Sequence, residues 1–175
     1  MKRYVLSAVL LGLAICHGAR GKDAIESAGD ALTLALPATA VGLALGYGDN
    51  EGLLQFGKSG ALTLGVTYGL KSVVREERPD GDSRSFPSGH TSVSFASAEF
   101  LRKRYGWPYG IPAYAAATFV GYSRVEADRH YTHDVIAGAA LGILSSYLFT
   151  TPYEGWNVQI DADAGYCGIC LCRRW

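Results

Sequence analysis

Ser123-Arg124-Val125-Glu126-Ala127-Asp128-Arg129-His130-Tyr131-Thr132-His133-Asp134 links the end of one long uncharged stretch to the start of the last one. His130 and Asp134 stand four residues apart, so a helical start lets the carboxylate hold one imidazole nitrogen and leaves the other free to attack. Arg124, closing the preceding stretch, can return a guanidinium fork to the same anion. Taken alone, the block is read more readily as a helix-stabilising His/Asp pair than as a catalytic one.

Outward from this block, uncharged stretches recur at 31–48, 59–70, 91–98, 105–123 and 135–153. Their alanine, leucine and glycine content favours helix over strand, and charged or proline-containing segments separate them, so five helices are expected. Only the first, fourth and fifth approach the roughly 20 residues that cross a bilayer, and Pro37, Pro108 and Pro112 are expected to interrupt two of them. A compact bundle lying at a membrane and a protein with six spanning segments both fit. At the start, Met1-Lys2-Arg3 precedes an apolar run from Tyr4 to Cys16, which reads as a secretory signal or an uncleaved anchor. From Asn157 the tail alternates Val158, Ile160 and Ala162 with polar neighbours, a strand or hairpin pattern.

Composition narrows the classes of function. Lysine plus arginine and aspartate plus glutamate are balanced at sixteen each, which gives no reason to expect nucleic acid and requires any anion site to be local. Hydrophobic residues reach 49% against 18% charged, with twenty-two glycines, which leans toward a membrane or membrane-adjacent protein. Of four cysteines, three crowd the tail at Cys167, Cys170 and Cys172, where an oxidising compartment could pair two and leave one over.

Two further blocks lie upstream. Lys71-Ser72-Val73-Val74-Arg75-Glu76-Glu77-Arg78-Pro79 spaces Lys71 and Arg78 two helical turns apart, so on a continuing helix both cations point the same way. A solvated helix face is the ordinary reading of that spacing. Phe86-Pro87-Ser88-Gly89-His90-Thr91-Ser92 stands before an apolar stretch, where a Ser-Gly turn at a helix N-terminus presents backbone N–H groups and the positive dipole end to an anion. Ser88 adds a hydroxyl and Gly89 permits close approach, although an N-cap serine with a turn glycine explains the same residues.

In combination, Lys-x6-Arg-Pro, Pro-Ser-Gly-His and Ser-Arg-x5-His-x3-Asp form a three-part signature, and from Lys71 to Asp134 the chain resembles the PAP2 family of type-2 phosphatidic acid phosphatases, related to vanadium haloperoxidases. The resemblance implies an all-α bundle of about five core helices, with a signal or anchor at 1–21, a phosphatase domain at 22–153 and a short irregular or β-like tail at 154–175. It implies His130 as nucleophile, Asp134 orienting it and His90 protonating the leaving oxygen. Lys71, Arg78, Ser88, Gly89 and Arg124 would hold the phosphate oxygens, with no metal and no cofactor. The substrate implied is a lipid phosphate or another phosphate ester, the partner a membrane and not nucleic acid. The implied location is the bacterial envelope, as an inner-membrane protein with a periplasm-facing site or a periplasmic protein after signal cleavage. A soluble broad-specificity acid phosphatase, a vanadium haloperoxidase and a non-enzymatic anion-binding membrane protein are the alternatives. His133 matches no family position and reads as a surface or loop histidine. Asp80, Asp82, Glu126 and Asp128 fit no calcium loop and read as loop and rim residues.

Overall fold

The computed structural model describes residues 21–81 and 83–154, and the backbone of 156–163 and 166–173. The expected leader therefore falls outside the described residues. The described residues form five helices in order: α1 Lys22–Tyr47, α2 Asn50–Val73, α3 Gly89–Tyr105, α4 Trp107–Glu126 and α5 Thr132–Phe149. Strands β1 Trp156–Asp163 and β2 Tyr166–Arg173 then form an antiparallel hairpin in which Trp156 pairs with Arg173 and Asp163 with Tyr166.

Every helix extends past its uncharged stretch at one end or both, although α5 stops at Phe149, short of residue 153. α1 begins nine residues before Ala31 and carries Asp23, Glu26 and Asp30 in its first turns, where carboxylates suit the positive dipole end. α3 runs past Ala98 through Glu99, Arg102, Lys103 and Arg104, the three cations falling in its last turn. The expected interruptions do not occur: Pro37 and Pro112 lie inside continuous helices, and Pro108 occupies the second position of α4, where its missing N–H costs nothing. Gly48 ends α1 in the left-handed conformation at φ 65°, its N–H bonding back to Leu45 O, and Asp49 caps α2 by accepting the Gly52 N–H at 2.8 Å.

α3 is the central helix and packs against all four others, most extensively against α5 and α4. It meets α5 almost backbone to backbone: a Cβ on Gly142 would lie 2.2 Å from Ser92 O and 2.7 Å from Ala96 N, and one on Gly138 would lie 2.6 Å from Ser88 O. At the end remote from the histidines, the carboxylate of Asp49 takes both the Arg104 guanidinium and the Tyr105 hydroxyl, tying the start of α2 to the end of α3. Burial alone would raise the Asp49 carboxyl, but these donors together with the Gly52 N–H bring it below its ordinary value.

The interior is made of small and hydroxylated residues. Gln55, Ser59, Thr63 and Thr67 recur every fourth position along the buried face of α2, and Ala40, Ala44, Ala96, Ala98, Ala113 and Ala117 are buried on α1, α3 and α4, with Phe100, Leu101 and Tyr105 filling the centre. Large aliphatic side chains face outward instead, including Leu34 at 74% and Leu148 at 70% exposure. Close packing of small residues inside with bulky apolar residues outside is how helices associate in lipid, where burying leucine gains little. α1 and α5 are long and apolar enough to cross a membrane, with mean hydropathy of 1.5 and 1.2.

Replacing Gly142 with Ala should force α3 and α5 apart. The expected loss is about 1–3 kcal/mol, the usual range for an overpacked core, read as a lower midpoint in thermal unfolding of the purified protein. An unchanged midpoint would show that the two backbones do not approach this closely.

Candidate active site

The chain alternates in direction, so α1, α3 and α5 begin at the end where α2 and α4 finish. That arrangement gathers the three sequence blocks. Lys71 lies in the last turn of α2, His90 in the first turn of α3, Arg124 in the last turn of α4, and Asp134 in the first turn of α5. A pocket of about 200 Å³ opens between them, lined by Glu26, Asp30, Arg78, His90, Arg124, Arg129 and His130. A larger cleft of about 460 Å³ lies at the opposite end among Asp49, Arg104 and Thr151 and has no titratable imidazole in its wall.

His130 precedes α5 rather than riding on it, which differs from the helical spacing expected. Its backbone N–H donates to Arg124 O at 3.2 Å, so the turn after α4 wraps onto the end of that helix. The ring is buried, with Nδ1 3.5 Å from Asp134 Oδ2 and 3.4 Å from Ser85 Oγ. Ser85 Oγ in turn donates to Asp134 Oδ2 at 2.5 Å, and the Tyr131 N–H donates to the same oxygen at 2.9 Å. Asp134 is thereby clamped by a hydroxyl and a backbone donor, facing Nδ1 and leaving Nε2 of His130 unengaged by this group. Burial, then the positive fields of Lys71 and Arg78, push His130 down to about 4, against the opposing pull of Asp134. The imidazole is therefore neutral near pH 7, as a nitrogen nucleophile requires.

Lys71 and Arg78 do not share a helix. α2 stops at Val73, and Arg78 sits in the segment that folds back through the Glu77–Ser83 bridge. Lys71 Nζ donates to the carbonyls of Arg84 and Ser85 at 2.8 and 3.2 Å, holding that segment against the site. The two cations reach His130 by different routes, and Arg78 lines the pocket while Lys71 stands behind it.

Ser88 is the N-cap of α3, its Oγ accepting from Thr91 Oγ1 at 2.9 Å, and its N–H donates to Asp134 O at 3.1 Å, bridging the starts of α3 and α5. Neither Ser88 nor Gly89 is among the pocket-lining residues. Arg124 is almost wholly buried, its fork spent on Asp30 Oδ1 at 2.8 Å and Glu26 O at 2.7 Å. His90 Nε2 also faces Asp30 Oδ1, at 3.4 Å, and the ring is about half exposed. Burial and then Arg124 lower its pKa below the ordinary 6.5, while Asp30 opposes the shift.

Glu26, Asp30, Ser85 and Arg129 complete the site, and the motif reading passed over all four. Arg129 reaches Glu26 Oε1 at 2.8 Å and Asp80 Oδ2 at 2.9 Å, closing the rim. Of the acidic residues expected on the rim, Asp80 is thus accounted for, Asp128 pairs with Lys22, and Asp82 lies outside the described residues. His133 is exposed, as expected of a residue outside the motif, and its Nε2 lies 2.9 Å from Glu76 Oε1. The side chains of Cys167, Cys170 and Cys172 lie outside the described residues.

A bundle of antiparallel helices with two histidines, guanidinium groups and helix N-termini converging at one end defines a phosphate-handling class. The profile of the PAP2 superfamily matches residues 65–157, and the chain belongs to that superfamily and is a phosphatase. It is 32% identical over 162 residues to a lipid A 4'-phosphatase of Helicobacter pylori, covering 85% of this chain and 81% of the relative. It is 37% identical over 113 residues to a lipid A 1-phosphatase of Porphyromonas gingivalis, covering 57% of this chain but 25% of that longer protein. Among solved structures, Aquifex aeolicus LpxE superposes with a TM-score of 0.61 at 21% identity, covering 79% of this chain and 91% of that one. A transmembrane PAP2-type phosphatidylglycerolphosphate phosphatase from Bacillus subtilis superposes with a TM-score of 0.54 at 23% identity, over 85% of each chain. At those identities the superpositions speak for the fold.

The opposed influences on His90 give a direct check. In a histidine-labelled NMR titration His130 should titrate near 4, and Asp30→Asn should move the His90 midpoint to lower pH, since a group that favours its imidazolium has been removed. A His90 midpoint that does not move would contradict the arrangement at the start of α1.

Proposed function

We propose that this protein releases phosphate from lipid phosphates at a membrane surface through a phosphohistidine intermediate, without a metal. The observation that carries the reading is the opening of one small pocket onto both His90 and His130, walled by Arg78, Arg124 and Arg129. His130 Nε2 attacks phosphorus as the bond to the leaving oxygen breaks, and His90, as imidazolium, gives that oxygen its proton. Water then attacks the phosphohistidine, His90 takes up the proton, and phosphate leaves with His130 regenerated. Arg78 and Arg124, with Lys71 behind them and the positive dipole end of α3, neutralise the charge that a metal would otherwise hold. Arg124 turns from Asp30 toward the phosphate when substrate arrives, and Asp30 supports the imidazolium form of His90 against the burial and the cations that lower its pKa. The unit that does this is 22–153.

The lipid assignment draws on the relatives, two of which act on lipid A, and on the outward-facing leucines. α1 and α5 serve as membrane crossings, and the site end faces the periplasm. A lipid A phosphate is the first substrate to try, ahead of simpler lipid phosphates. The soluble acid-phosphatase alternative requires a water-facing exterior, which these leucines disfavour.

The test is phosphate release from a panel containing lipid A phosphates, phosphatidic acid, phosphatidylglycerol phosphate and a water-soluble phosphomonoester, with wild-type and His130→Ala protein. Turnover should prefer the lipids, survive chelation, and fall at least about a hundredfold in the variant, the lower range for loss of an essential proton-transfer or nucleophilic group, with helical content unchanged. Turnover retained by His130→Ala, or confined to the soluble ester, would reject the mechanism or the substrate class respectively.

A further inference from the structure

On the outer flank of Asp134, away from His130, three ligand atoms converge that the phosphatase reading does not use. They are Glu76 Oε1, His133 Nε2 and Asp134 Oδ1, all within 4.8 Å of one another. His133 Nε2 lies 2.9 Å from the glutamate oxygen and 3.3 Å from the aspartate oxygen. A single ring nitrogen faces two carboxylates there, and one N–H satisfies at most one of them. The deficit falls on Asp134: its Oδ1 is buried and accepts no hydrogen bond among the described residues, although Oδ2 has two donors. Buried carboxylate oxygens in native proteins are normally satisfied, so an oxygen left bare and aimed at a histidine and a second carboxylate points to a ligand.

The imidazole is also oriented in advance. Tyr131 stacks on it with ring centres 5.4 Å apart and planes 8° apart, and Phe86 lies on it at 6.3 Å and 27°. His133 remains more than half exposed, so an ion has a path from solvent and water has a place to complete the coordination. One nitrogen and two oxygens suit a borderline divalent transition ion of the zinc type. Metal–ligand bonds of about 2.0–2.2 Å in a tetrahedron separate ligand atoms by about 3.3–3.6 Å, a range that includes the 3.3 Å between His133 Nε2 and Asp134 Oδ1.

We propose that Glu76, His133 and Asp134 form a zinc-type divalent-ion site whose occupancy inhibits the phosphatase. The ion neutralises the carboxylate that faces His130 Nδ1 at 3.5 Å and so withdraws the anion that orients the nucleophile. Inhibition rests on the reading of His130 and Asp134 as catalytic; binding does not. No bond is made or broken in the protein, and removing the ion restores turnover.

The experiment uses the full chain in detergent micelles, chelator-stripped and alkylated at its cysteines so that Cys167, Cys170 and Cys172 cannot compete. Zinc chloride is titrated calorimetrically, cobalt(II) binding is followed by visible absorption, and phosphate release is measured with and without saturating zinc, each variant against its own metal-free rate. Wild type should bind one ion per chain and lose turnover severalfold. His133→Gln and Glu76→Gln should each weaken binding at least tenfold and keep the same rate with and without zinc. Equal binding by wild type and both variants, or none by wild type, overturns the site. Binding lost in the variants with turnover indifferent to zinc in wild type overturns the inhibition and leaves the site standing. A stripped wild-type protein with no turnover at all would count against the phosphatase mechanism instead.

Discussion

The backbones of α3 and α5 touch, and most of the chemistry follows from that contact. Gly138 and Gly142 leave no side chain between the two helices, so Ser88 N–H reaches Asp134 O and the two N-termini start side by side. His90 at the head of α3 and His130 just ahead of α5 are thereby held at the mouth of one pocket. Both helix dipoles direct their positive ends to that mouth, adding to the guanidinium groups already there. A bundle with ordinary leucine-to-leucine spacing would separate the same residues by the width of a side-chain layer.

The pocket is a balance of charge rather than a simple positive cup. Arg124 is buried against Asp30 and Glu26, and Arg129 spans Glu26 and Asp80, so α1 supplies anions that hold the cations in place before any phosphate arrives. His130 is driven neutral by burial and by Lys71 and Arg78, whereas Asp30 works to keep His90 charged. Both imidazoles are thus pushed toward the neutral form by burial and neighbouring cations, and at His90 the Asp30 carboxylate offsets part of that push.

Much of this was readable from the residues, because spacing carries it. Lys71, His90, Arg124 and Asp134 stand in the first or last turns of helices, with Arg78 and His130 in the connecting segments, and their order with intervening apolar stretches points to both the family and the bundle. What could not be read depends on partners distant along the chain. Nothing in the local pattern of Glu26 or Asp30 marks them, because their importance comes from α1 packing on α4, where Gly29 admits the Ser123 and Arg124 side chains. Ser85 is an ordinary loop serine until the fold sets it on Asp134. The shared helix face expected for Lys71 and Arg78 failed because α2 ends at Val73 before the charged run, and the helix breaks expected at Pro37 and Pro112 failed because packing overrides local propensity.

The central claim is that His130 carries the phosphoryl group. Rapid-quench labelling with a lipid substrate bearing radioactive phosphate tests it most directly: the account predicts a phosphoenzyme that is labile to acid, stable to base, and maps to the peptide containing His130. Hydrolysis that proceeds through a full turnover with no label on the protein, or with label on a residue other than His130, would contradict it.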